Sequence, residues 1–512
     1  MSRLKVVAVV ALATTILLSA CSAPASKPVA GGPQPSADGQ VPTELASYYE
    51  QKITWTTCGG EHSYCGTVEV PADWSAPAGD KLKIALAYHQ ADLAKPLGSV
   101  IFNPGGPGVS GVIWIKDSID QIGTAELRKN FNIVGFDPRG IGLSEPRIKC
   151  FNAKDTDELL YGDSGYEIAS AADIAYTTDK MKKFADACAK NTGPNLAFVD
   201  TISVAKDLDL IRAVFGSQKI DYLGFSYGTY IGAVYAQLFT DRVGHMVLDG
   251  AVDPTQNADQ QNLSQLRGFD KALKNFLADC LDSQDCPFHG STAQAQERIK
   301  KLLSDIETRP LKSDSGREVT VWTALTGIVM PLYGKDWWPT LSQAFAEALH
   351  GDGTTLLSLA DTYNDRNEDG TFATNTLEAN IAVSCLDSRA PSDAASMAAS
   401  NQRMLAASSI FGKYWQDGAL SCANWPYPAV KELKDFSAKG STPILVVGTT
   451  GDPATPYEQA VALANQVLAN ARLITFNGEG HTAYGQQNSC VNKAVDAYFT
   501  RNVVPTEDPN CG

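Results

Sequence analysis

One serine in this sequence stands between two glycines in a pattern that can serve nucleophilic catalysis. Residues 224–228 read Gly-Phe-Ser-Tyr-Gly, which matches G-x-S-x-G around Ser226. So short a pattern arises by chance in roughly one in five chains of this length and composition, so its setting decides its meaning. Residues 219–225 have the character of a strand and residues 230–239 that of a helix. A serine on a sharp turn between strand and helix can act as a nucleophile; the alternative is an ordinary turn.

A serine hydroxyl is a poor nucleophile at neutral pH and needs a base. The sequence has six histidines, four of which follow Ser226. One of these four begins a strand too soon after the serine, and two fall in a long helical stretch. The fourth, His481, lies in the loop Asn-Gly-Glu-Gly-His-Thr (477–482) after the last predicted strand. His481 is therefore the predicted base, and a solvated loop histidine is the alternative.

An aspartate is the predicted third member of the site. Residues 443–448 predict a buried strand, and Asp452 follows in Thr-Thr-Gly-Asp-Pro (449–453). Such a carboxylate holds the imidazole in one tautomer and offsets its charge. The order serine, acid, histidine is found in hydrolases built on a parallel sheet. Aspartate in a Gly-Asp-Pro turn is also a common structural choice.

A glycine-rich loop can supply the donors that stabilise a developing oxyanion. The segment Asn-Pro-Gly-Gly-Pro-Gly (103–108) directly follows a predicted strand. Pro107 has no N–H, so Gly106 is the predicted donor and Gly105 the second choice. The other predicted donor is the N–H of Tyr227, next to the nucleophile. A tight turn without catalytic role is the alternative explanation of these glycines.

The elements that must position these groups alternate along the chain. Apolar runs typical of strands covered on both faces occur at residues 82–89, 99–103, 131–136, 219–225, 245–249, 443–448 and 473–476. Helical patterns separate many of them; one covers residues 200–214, with Asp200 or Thr201 as its N-cap. This alternation predicts a mostly parallel, doubly wound α/β sheet.

One long stretch breaks this rhythm. Residues 254–440 contain long helical patterns, such as 263–281 and 293–308, and few strand signals. The prediction is a catalytic domain formed by residues 44–253 and 441–512, with residues 254–440 inserted between two strands as a mostly helical cap.

The N-terminus resembles a targeting segment. Arg3 and Lys5 precede an apolar run, residues 6–20, that is too short to span a bilayer comfortably. Leu-Ser-Ala-Cys (18–21) resembles the cleavage site of bacterial lipoproteins, which predicts a signal peptide over residues 1–20 and a lipid on Cys21. Residues 21–43, rich in Pro, Ala, Ser and Gly, then form a flexible stalk. The expected location is the extracytoplasmic face of the cell membrane; an ordinary secretory signal is the alternative.

Composition and cysteine usage fit an exported globular protein. Hydrophobic residues make up 44% of the 512 residues, and the formal net charge of −15 disfavours a nucleic-acid partner. Of eleven cysteines, ten remain after Cys21 is set aside, an even number that indicates five disulfides. Short loops favour the pairs 58–65, 280–286 and 490–511. No zinc motif is present in the sequence, and neither a metal nor an organic cofactor is expected.

Five segments together resemble the secreted tripeptidyl aminopeptidases of actinobacteria, which are serine peptidases related to proline iminopeptidases. They read NPGGPGVSG (103–111), GFDPRGIGLSEP (135–146), GFSYGTYIGAVYAQLF (224–239), VVGTTGDPATP (446–456) and NGEGHTAYG (477–485). The resemblance implies an α/β-hydrolase fold and a Ser226–Asp452–His481 triad. It also implies that Asp137 and Arg139 belong to a structural loop.

An aminopeptidase must also recognise a free ammonium group, for which carboxylates near the cleft are suitable. Asp387 is the first candidate, because related aminopeptidases have a similar Cys-x-Asp segment, followed by Glu479 and Asp253. Each could equally be an ordinary surface acid.

The sequence thus predicts a lipid-anchored serine aminopeptidase that releases short peptides, of the tripeptidyl type, from the free N-termini of peptides or proteins. An esterase acting on envelope or xenobiotic esters is the enzymatic alternative, because the triad chemistry is the same. A surface lipoprotein that binds peptides on an inactive hydrolase scaffold is the other alternative.

Overall fold

The computed structural model of the protein describes residues 32–35, 41–430, 433–486 and 488–512. The predicted signal peptide, Cys21 and most of the predicted stalk lie outside these residues. Across the described ranges, no helix has both the length and the apolar character needed to cross a membrane.

A single ten-stranded sheet dominates the described part of the chain, in the order β1-β2-β3-β5-β4-β6-β7-β10-β11-β12. A two-stranded hairpin, β8–β9, lies apart from it. The strands are β1 Thr56–Thr57, β2 Ser63–Pro71, β3 Lys81–His89, β4 Gly98–Asn103, β5 Phe131–Phe136, β6 Ile220–Phe225, β7 Val243–Asp249, β8 Leu311–Lys312, β9 Glu318–Val319, β10 Ile444–Gly451, β11 Ala471–Glu479 and β12 Asn510–Cys511. From β5 to β12 all neighbours in the sheet pair in parallel, whereas β1, β2 and β3 are joined by antiparallel pairing.

Helices cover both faces of the sheet and form a separate layer above one end of it. They are α1 Ala46–Tyr49, α2 Gly111–Asp117, α3 Ala125–Asn130, α4 Ala153–Tyr161, α5 Ala171–Thr192, α6 Thr201–Val214, α7 Tyr227–Leu238, α8 Ala258–Leu281, α9 Thr292–Thr308, α10 Val321–Val329, α11 Trp338–Leu349, α12 Thr354–Tyr363, α13 Thr376–Asp387, α14 Ala394–Ala407, α15 Leu420–Ala423, α16 Tyr457–Ala462 and α17 Ser489–Arg501. Helices α6 and α7 share one core with the sheet, and α2 and α17 share another on the opposite face. The predicted doubly wound α/β architecture is confirmed.

The predicted strands and helices occur within a few residues of their expected bounds. The strand predicted at residues 131–136 is β5, and the helix predicted at residues 200–214 is α6. Asp200 is its N-cap, and its side chain accepts a hydrogen bond of 2.9 Å from the N–H of Ser203. Strands β1, β2 and β12 and the hairpin β8–β9 were not predicted from the sequence.

The cap has a hydrophobic core of its own, built from α8 to α12 and α14. The domain prediction was incomplete here, because α4 and α5, from the segment before Ser226, also join this layer. Tyr161 at the end of α4 packs into the cap core, and Phe184 and Cys188 of α5 pack with Val383 of α13. The cap is therefore assembled from two chain segments, residues 150–200 and 254–440.

Five disulfides are present in the described residues, as the even cysteine count predicted. The three pairs expected from short loops, Cys58–Cys65, Cys280–Cys286 and Cys490–Cys511, are confirmed. The other two are Cys150–Cys188 and Cys385–Cys422. The Cys490–Cys511 disulfide links helix α17 to the C-terminal strand β12, which extends the sheet beside β11.

Candidate active site

Ser226 occupies a strained turn between β6 and α7. Its backbone has φ 55° and ψ −126°, a conformation that costs an L-residue energy and is concentrated at functional sites. The turn is tight enough to need glycine on its far side, since a Cβ at Gly228 would lie 2.7 Å from the carbonyl oxygen of Asn103. The Ser226 N–H donates to the carbonyl oxygen of Asp249 over 2.9 Å. The Ser226 side chain is partly exposed, and its hydroxyl has no hydrogen-bond partner among the described residues.

Asp452 and His481 form the pair that the sequence predicted. Asp452 follows β10 and His481 follows β11, so neighbouring parallel strands deliver both to the same edge of the sheet. Nδ1 of His481 lies 2.9 Å from each carboxylate oxygen of Asp452. The Asp452 side chain is fully buried and the His481 side chain is 12% exposed. With its proton on Nδ1, the imidazole keeps Nε2 available to accept a proton.

Two opposing effects set the pKa of His481. Burial disfavours the charged imidazolium and lowers the pKa, while the charge and hydrogen bond of Asp452 raise it. The charge of Asp249 also raises it, and the net pKa lies above the ordinary histidine value. The base is thus poised to take up a proton and to hold it as an imidazolium next to Asp452.

The end of β7 brings the base and the serine to the same place. Asp249 is the last residue of β7, and its carbonyl oxygen holds the Ser226 N–H. The next residue, Gly250, has φ +66°, and a Cβ there would lie 3.1 Å from Cε1 of His481. The His481 imidazole therefore lies against Gly250, the residue after Asp249, whose carbonyl oxygen accepts the Ser226 N–H.

Asp249 is a part of the site that the sequence analysis did not identify. Its buried carboxylate accepts hydrogen bonds from the N–H groups of Ala483 (2.9 Å) and Tyr484 (2.7 Å), just after His481. Burial raises its pKa to about 6. One residue thus supports both the serine turn, through its carbonyl, and the histidine loop, through its side chain. Its position at the end of the strand after the nucleophile was the available signal.

The glycine loop after β4 lies against the serine turn. A Cβ at Gly105 would be 2.9 Å from the Ser226 Cβ and 3.1 Å from the Tyr227 nitrogen. The Gly105 N–H is already used, since it donates to the Asn103 side chain over 3.0 Å. Among the described residues, the N–H groups of Gly106 and Tyr227 have no hydrogen-bond acceptor. These are the two donors that the sequence predicted for an oxyanion, and their role stays a prediction.

Thr455 and Tyr333 hold Asp452 and His481 in position. The Thr455 hydroxyl donates to Oδ2 of Asp452 over 3.0 Å and lies 3.4 Å from Nδ1 of His481. The cap reaches the histidine loop through Tyr333, whose carbonyl oxygen accepts the His481 N–H over 2.8 Å. The Tyr333 ring meets the imidazole edge to face, with 5.5 Å between ring centroids. No local sequence signal identifies Tyr333, because it lies in the cap far from His481 along the chain.

Asp387 contacts the side chain of Tyr227, the residue after Ser226, and its carboxylate already has hydrogen-bond donors. It accepts hydrogen bonds from the Thr201 N–H (2.8 Å), the Thr201 hydroxyl (2.5 Å) and the Tyr227 hydroxyl (3.3 Å). Burial raises its pKa to about 7, against the lowering effect of those bonds. It links the cap helix α13 to the start of α6. Binding of a substrate ammonium by Asp387 stays a prediction.

Glu479 and Asp253, the two further candidates for ammonium binding, accept hydrogen bonds from Asn275 and Thr255. Both oxygens of Glu479 accept from the Asn275 side chain, at 2.9 and 3.1 Å, which joins the end of β11 to the cap helix α8. Asp253 accepts from the N–H and hydroxyl of Thr255 in the turn before α8. Amine binding by Glu479 also stays a prediction. Over the described ranges, no group of three or more His, Cys, Asp or Glu side chains is arranged to hold a metal ion.

The loop that contains Asp137 and Arg139 is built for structure, as the sequence suggested. The Asp137 side chain accepts from the Ser110 hydroxyl and from the N–H groups of Val112 and Leu143. The Arg139 guanidinium is fully buried and forms two hydrogen bonds, of 2.7 and 2.6 Å, with the Asp207 carboxylate.

Comparison with known proteins identifies a matching family model and several named proteins of similar sequence. Residues 408–511 match a family model, Abhydrolase_4, described as TAP-like protein. The chain is 36% identical to serine protease Hip1 of Mycobacterium tuberculosis, over 90% of this chain and 91% of that protein. It is 34% identical to carboxylesterase B of the same organism, over 95% of each chain. It is 32% identical to the tripeptidyl aminopeptidase of Streptomyces lividans, over 90% of this chain and 86% of that protein.

Proposed function

The chain belongs to the α/β-hydrolase family that contains serine protease Hip1 and the tripeptidyl aminopeptidases, and on that premise we propose that it is an aminopeptidase releasing short peptides, of the tripeptidyl type, from free N-termini. It is a serine hydrolase by this membership. One observation carries the assignment of its residues, namely the Asp452–His481 pair at 2.9 Å beside the strained Ser226 turn.

In the proposed cycle, Nε2 of His481 takes the Ser226 proton as the hydroxyl oxygen attacks the scissile carbonyl carbon. The N–H groups of Gly106 and Tyr227 donate to the oxygen of the tetrahedral intermediate. His481 then gives the proton to the leaving amine, the C–N bond breaks, and an acyl-enzyme on Ser226 remains. Water, deprotonated by His481, attacks the acyl carbonyl, and the ester bond to Ser226 breaks as His481 returns the proton to the serine oxygen, which releases the peptide acid. Asp452 offsets the imidazolium charge in both halves of the cycle.

The cap supports an exopeptidase. Its two segments cover the end of the sheet that holds the site, and its contacts with the catalytic groups pass through Tyr333 and α8. A cap that covers the site admits the ends of peptide chains more readily than internal segments of folded proteins. The names of the tripeptidyl aminopeptidase and serine protease relatives are in line with peptide substrates.

An extracytoplasmic, lipid-anchored location is part of the proposal. It is supported by the Leu-Ser-Ala-Cys motif at residues 18–21 and by the five disulfides, which form and persist outside the cytoplasm. The motif lies outside the described residues, and the support here is from sequence.

Mass spectrometry of the products from a defined peptide series tests the activity. The series contains matched peptides with free and N-acetylated N-termini, incubated with wild type and with Ser226→Ala. We expect wild type to release N-terminal fragments of fixed short length from free peptides only, and Ser226→Ala to release none. Cleavage of free and acetylated peptides at equal rates, or fragments cut from internal positions, would contradict the proposal.

An esterase is the second candidate, favoured by the 34% identity to carboxylesterase B. Ester and amide hydrolysis share the acyl-enzyme route, so the triad alone does not separate them. Acyl esters of graded chain length, assayed beside the peptide series, separate the two. Turnover confined to the esters would favour the esterase.

A further inference from the structure

A groove in the cap lies between its two chain segments. It has a volume of about 580 Å³ and is bounded by α4 and α5 on one side and by α8, α10 and residues 414–421 on the other. Its walls include the aromatic side chains of Phe269, Trp322, Tyr363, Tyr414 and Trp415. A volume of this size is typical of small-molecule and peptide sites.

Helix α8 connects this groove to the catalytic loops. Gln265, in the groove wall, donates a hydrogen bond of 3.3 Å to the carbonyl oxygen of Ala454, two residues after Asp452. Phe269 of the same wall packs on Tyr333 with ring centroids 5.7 Å apart, and Tyr333 packs on His481. The groove is therefore linked to the histidine loop through the packed rings of Phe269 and Tyr333, and neither Ser226 nor His481 lines it.

One carboxylate in the groove wall is available for a ligand. Asp417 is partly buried, and its Oδ1 accepts a hydrogen bond of 2.8 Å from the Asn401 side chain. Its Oδ2 receives no hydrogen bond from the described residues, and none of their cationic groups lies within salt-bridge distance of it. Its backbone has φ 58°, and its N–H donates to Asn401 over 2.9 Å, so the side chain is held in place.

The other charged groups of the groove already have partners. Asp173 accepts from the Ser164 hydroxyl and from the N–H of Ala169, in the turn before α5. The Lys180 ammonium donates to the carbonyl oxygen of Glu158 over 2.6 Å. Outside the groove, the two acids predicted from the sequence are also hydrogen-bonded. Asp387 accepts from Thr201 and Tyr227, and Glu479 accepts from Asn275. Asp417 is thus the carboxylate of these four that lacks a partner for one of its oxygens.

We propose that Asp417, with the aromatic wall beside it, binds the free α-ammonium group of the peptide substrate. This inference rests on the proposed aminopeptidase function and names its specificity residue. A carboxylate beside aromatic rings suits an alkylammonium, since both attract positive charge.

A chain of ring contacts sets an upper limit on the distance from the imidazole to the groove wall. Successive ring centroids from His481 through Tyr333 and Phe269 to Trp415 are 5.5, 5.7 and 6.0 Å apart. The Trp415 ring therefore lies at most about 17 Å from the imidazole, and Asp417 follows Trp415 by two residues. Three extended residues span about 10 Å, so a tripeptidyl acyl portion reaches Asp417 only if the carboxylate lies within about that distance of Ser226.

The test compares Asp417→Asn with wild type on matched peptides that have free or acetylated N-termini. Asparagine retains the Asn401 contact and tolerates positive φ, so the substitution removes the charge alone. We expect kcat/KM for the free peptide to fall about 10–100-fold, mainly through KM, as loss of one charge-assisted hydrogen bond predicts. The preference for free over acetylated peptide should fall by the same factor.

Glu297→Gln, an exposed acid on α9, is the matched control and should keep the wild-type preference; melting temperatures of both variants check folding. If wild type prefers free peptides and Asp417→Asn keeps that preference, the assignment of Asp417 is overturned while the aminopeptidase proposal stands. If Asp387→Asn alone abolishes the preference, the ammonium site is at Asp387 and the inference is wrong. A wild-type enzyme without preference for free peptides fails the proposed function itself.

Discussion

At the scale of single residues, reactivity in the proposed cycle depends on how Asp452 sets the protonation of His481. Burial by itself would lower the imidazole pKa, and the Asp452 carboxylate together with the charge of Asp249 more than compensates for it. The base must be neutral to accept the Ser226 proton, so activity is lost as the pH falls through its raised pKa.

The pH profile of kcat/KM should therefore have an acid limb above the ordinary histidine value of about 6.5. In Asp452→Asn the carboxylate effect is lost while burial remains, so the limb should move to lower pH. The rate should also fall, by about 10⁴-fold by analogy with triads of this type. Profiles between about pH 5 and 9 for both proteins check this expectation. An acid limb at the same pH in wild type and Asp452→Asn would contradict this account of the base.

Residue types and their order single out Ser226, Asp452 and His481, because each follows a predicted strand and is chemically distinctive. The structure brings Asp452 and His481 into contact at 2.9 Å, and the catalytic roles of the three residues stay a prediction. The preference for Gly106 over Gly105 as an oxyanion donor stays a prediction, and the structure supplies a second argument for it. Pro107 was the argument from sequence, whereas in the structure the Asn103 side chain occupies the Gly105 N–H. Asp249 was missed because its carboxylate binds the N–H groups of Ala483 and Tyr484, which lie far from it along the chain.

At the scale of elements, the apolar runs predicted the central strands because they are covered on both faces, which leaves a continuous signal. Strand β2, second from the edge of the sheet, was missed, since its run SYCGTVEVP mixes polar and apolar residues. The helices α4 and α5 were assigned to the catalytic domain because sequence order places them before the nucleophile. Only their packing against α13 and the cap core shows that they belong to the upper layer.

The buried ion pair between Arg139 and Asp207 should be a major contributor to the position of α6. Both side chains are almost fully buried, and Asp207 also accepts a hydrogen bond from the Trp74 indole. Asp207→Asn leaves the Arg139 charge without a counter-charge, which typically costs about 3–5 kcal/mol of unfolding free energy. Denaturant unfolding monitored by circular dichroism measures this loss.

The same substitution in an exposed pair is the control. Asp186 pairs with Lys182 on the surface of α5, with both side chains more than half exposed. Asp186→Asn should change the unfolding free energy by less than about 1 kcal/mol. Equal effects of the two substitutions would show that the buried pair has no special role.

At the scale of the whole molecule, the described residues form a sheet domain and a two-segment cap, which contact each other at the candidate active site. Among the described residues, each disulfide joins positions within one of these parts, and none links the cap to the sheet domain. The two parts are held together by packing and by hydrogen bonds such as those from Asn275 to Glu479 and from Lys271 to the Thr450 carbonyl. The sequence predicted the insertion but could not show this interface, which depends on long-range contacts.

Attachment to the membrane should depend on Cys21. If the residue carries a lipid anchor, Cys21→Ala should move the enzyme from the membrane fraction into the soluble fraction, with its disulfides unchanged. Fractionation and detergent-phase partition of wild type and variant provide the measurement. A variant that stays with the membrane as fully as wild type would rule out lipidation of Cys21 as the anchor.

The most direct measurement of the central claim is to locate the residue that becomes acylated. A fluorophosphonate probe, which reacts with activated serines, is added to wild type, Ser226→Ala and His481→Gln, and the adducts are mapped by peptide mass spectrometry. The account predicts one adduct on Ser226 in wild type, none in Ser226→Ala, and greatly slowed labelling in His481→Gln. Equal labelling of wild type and Ser226→Ala, or an adduct mapped to another residue, would contradict it.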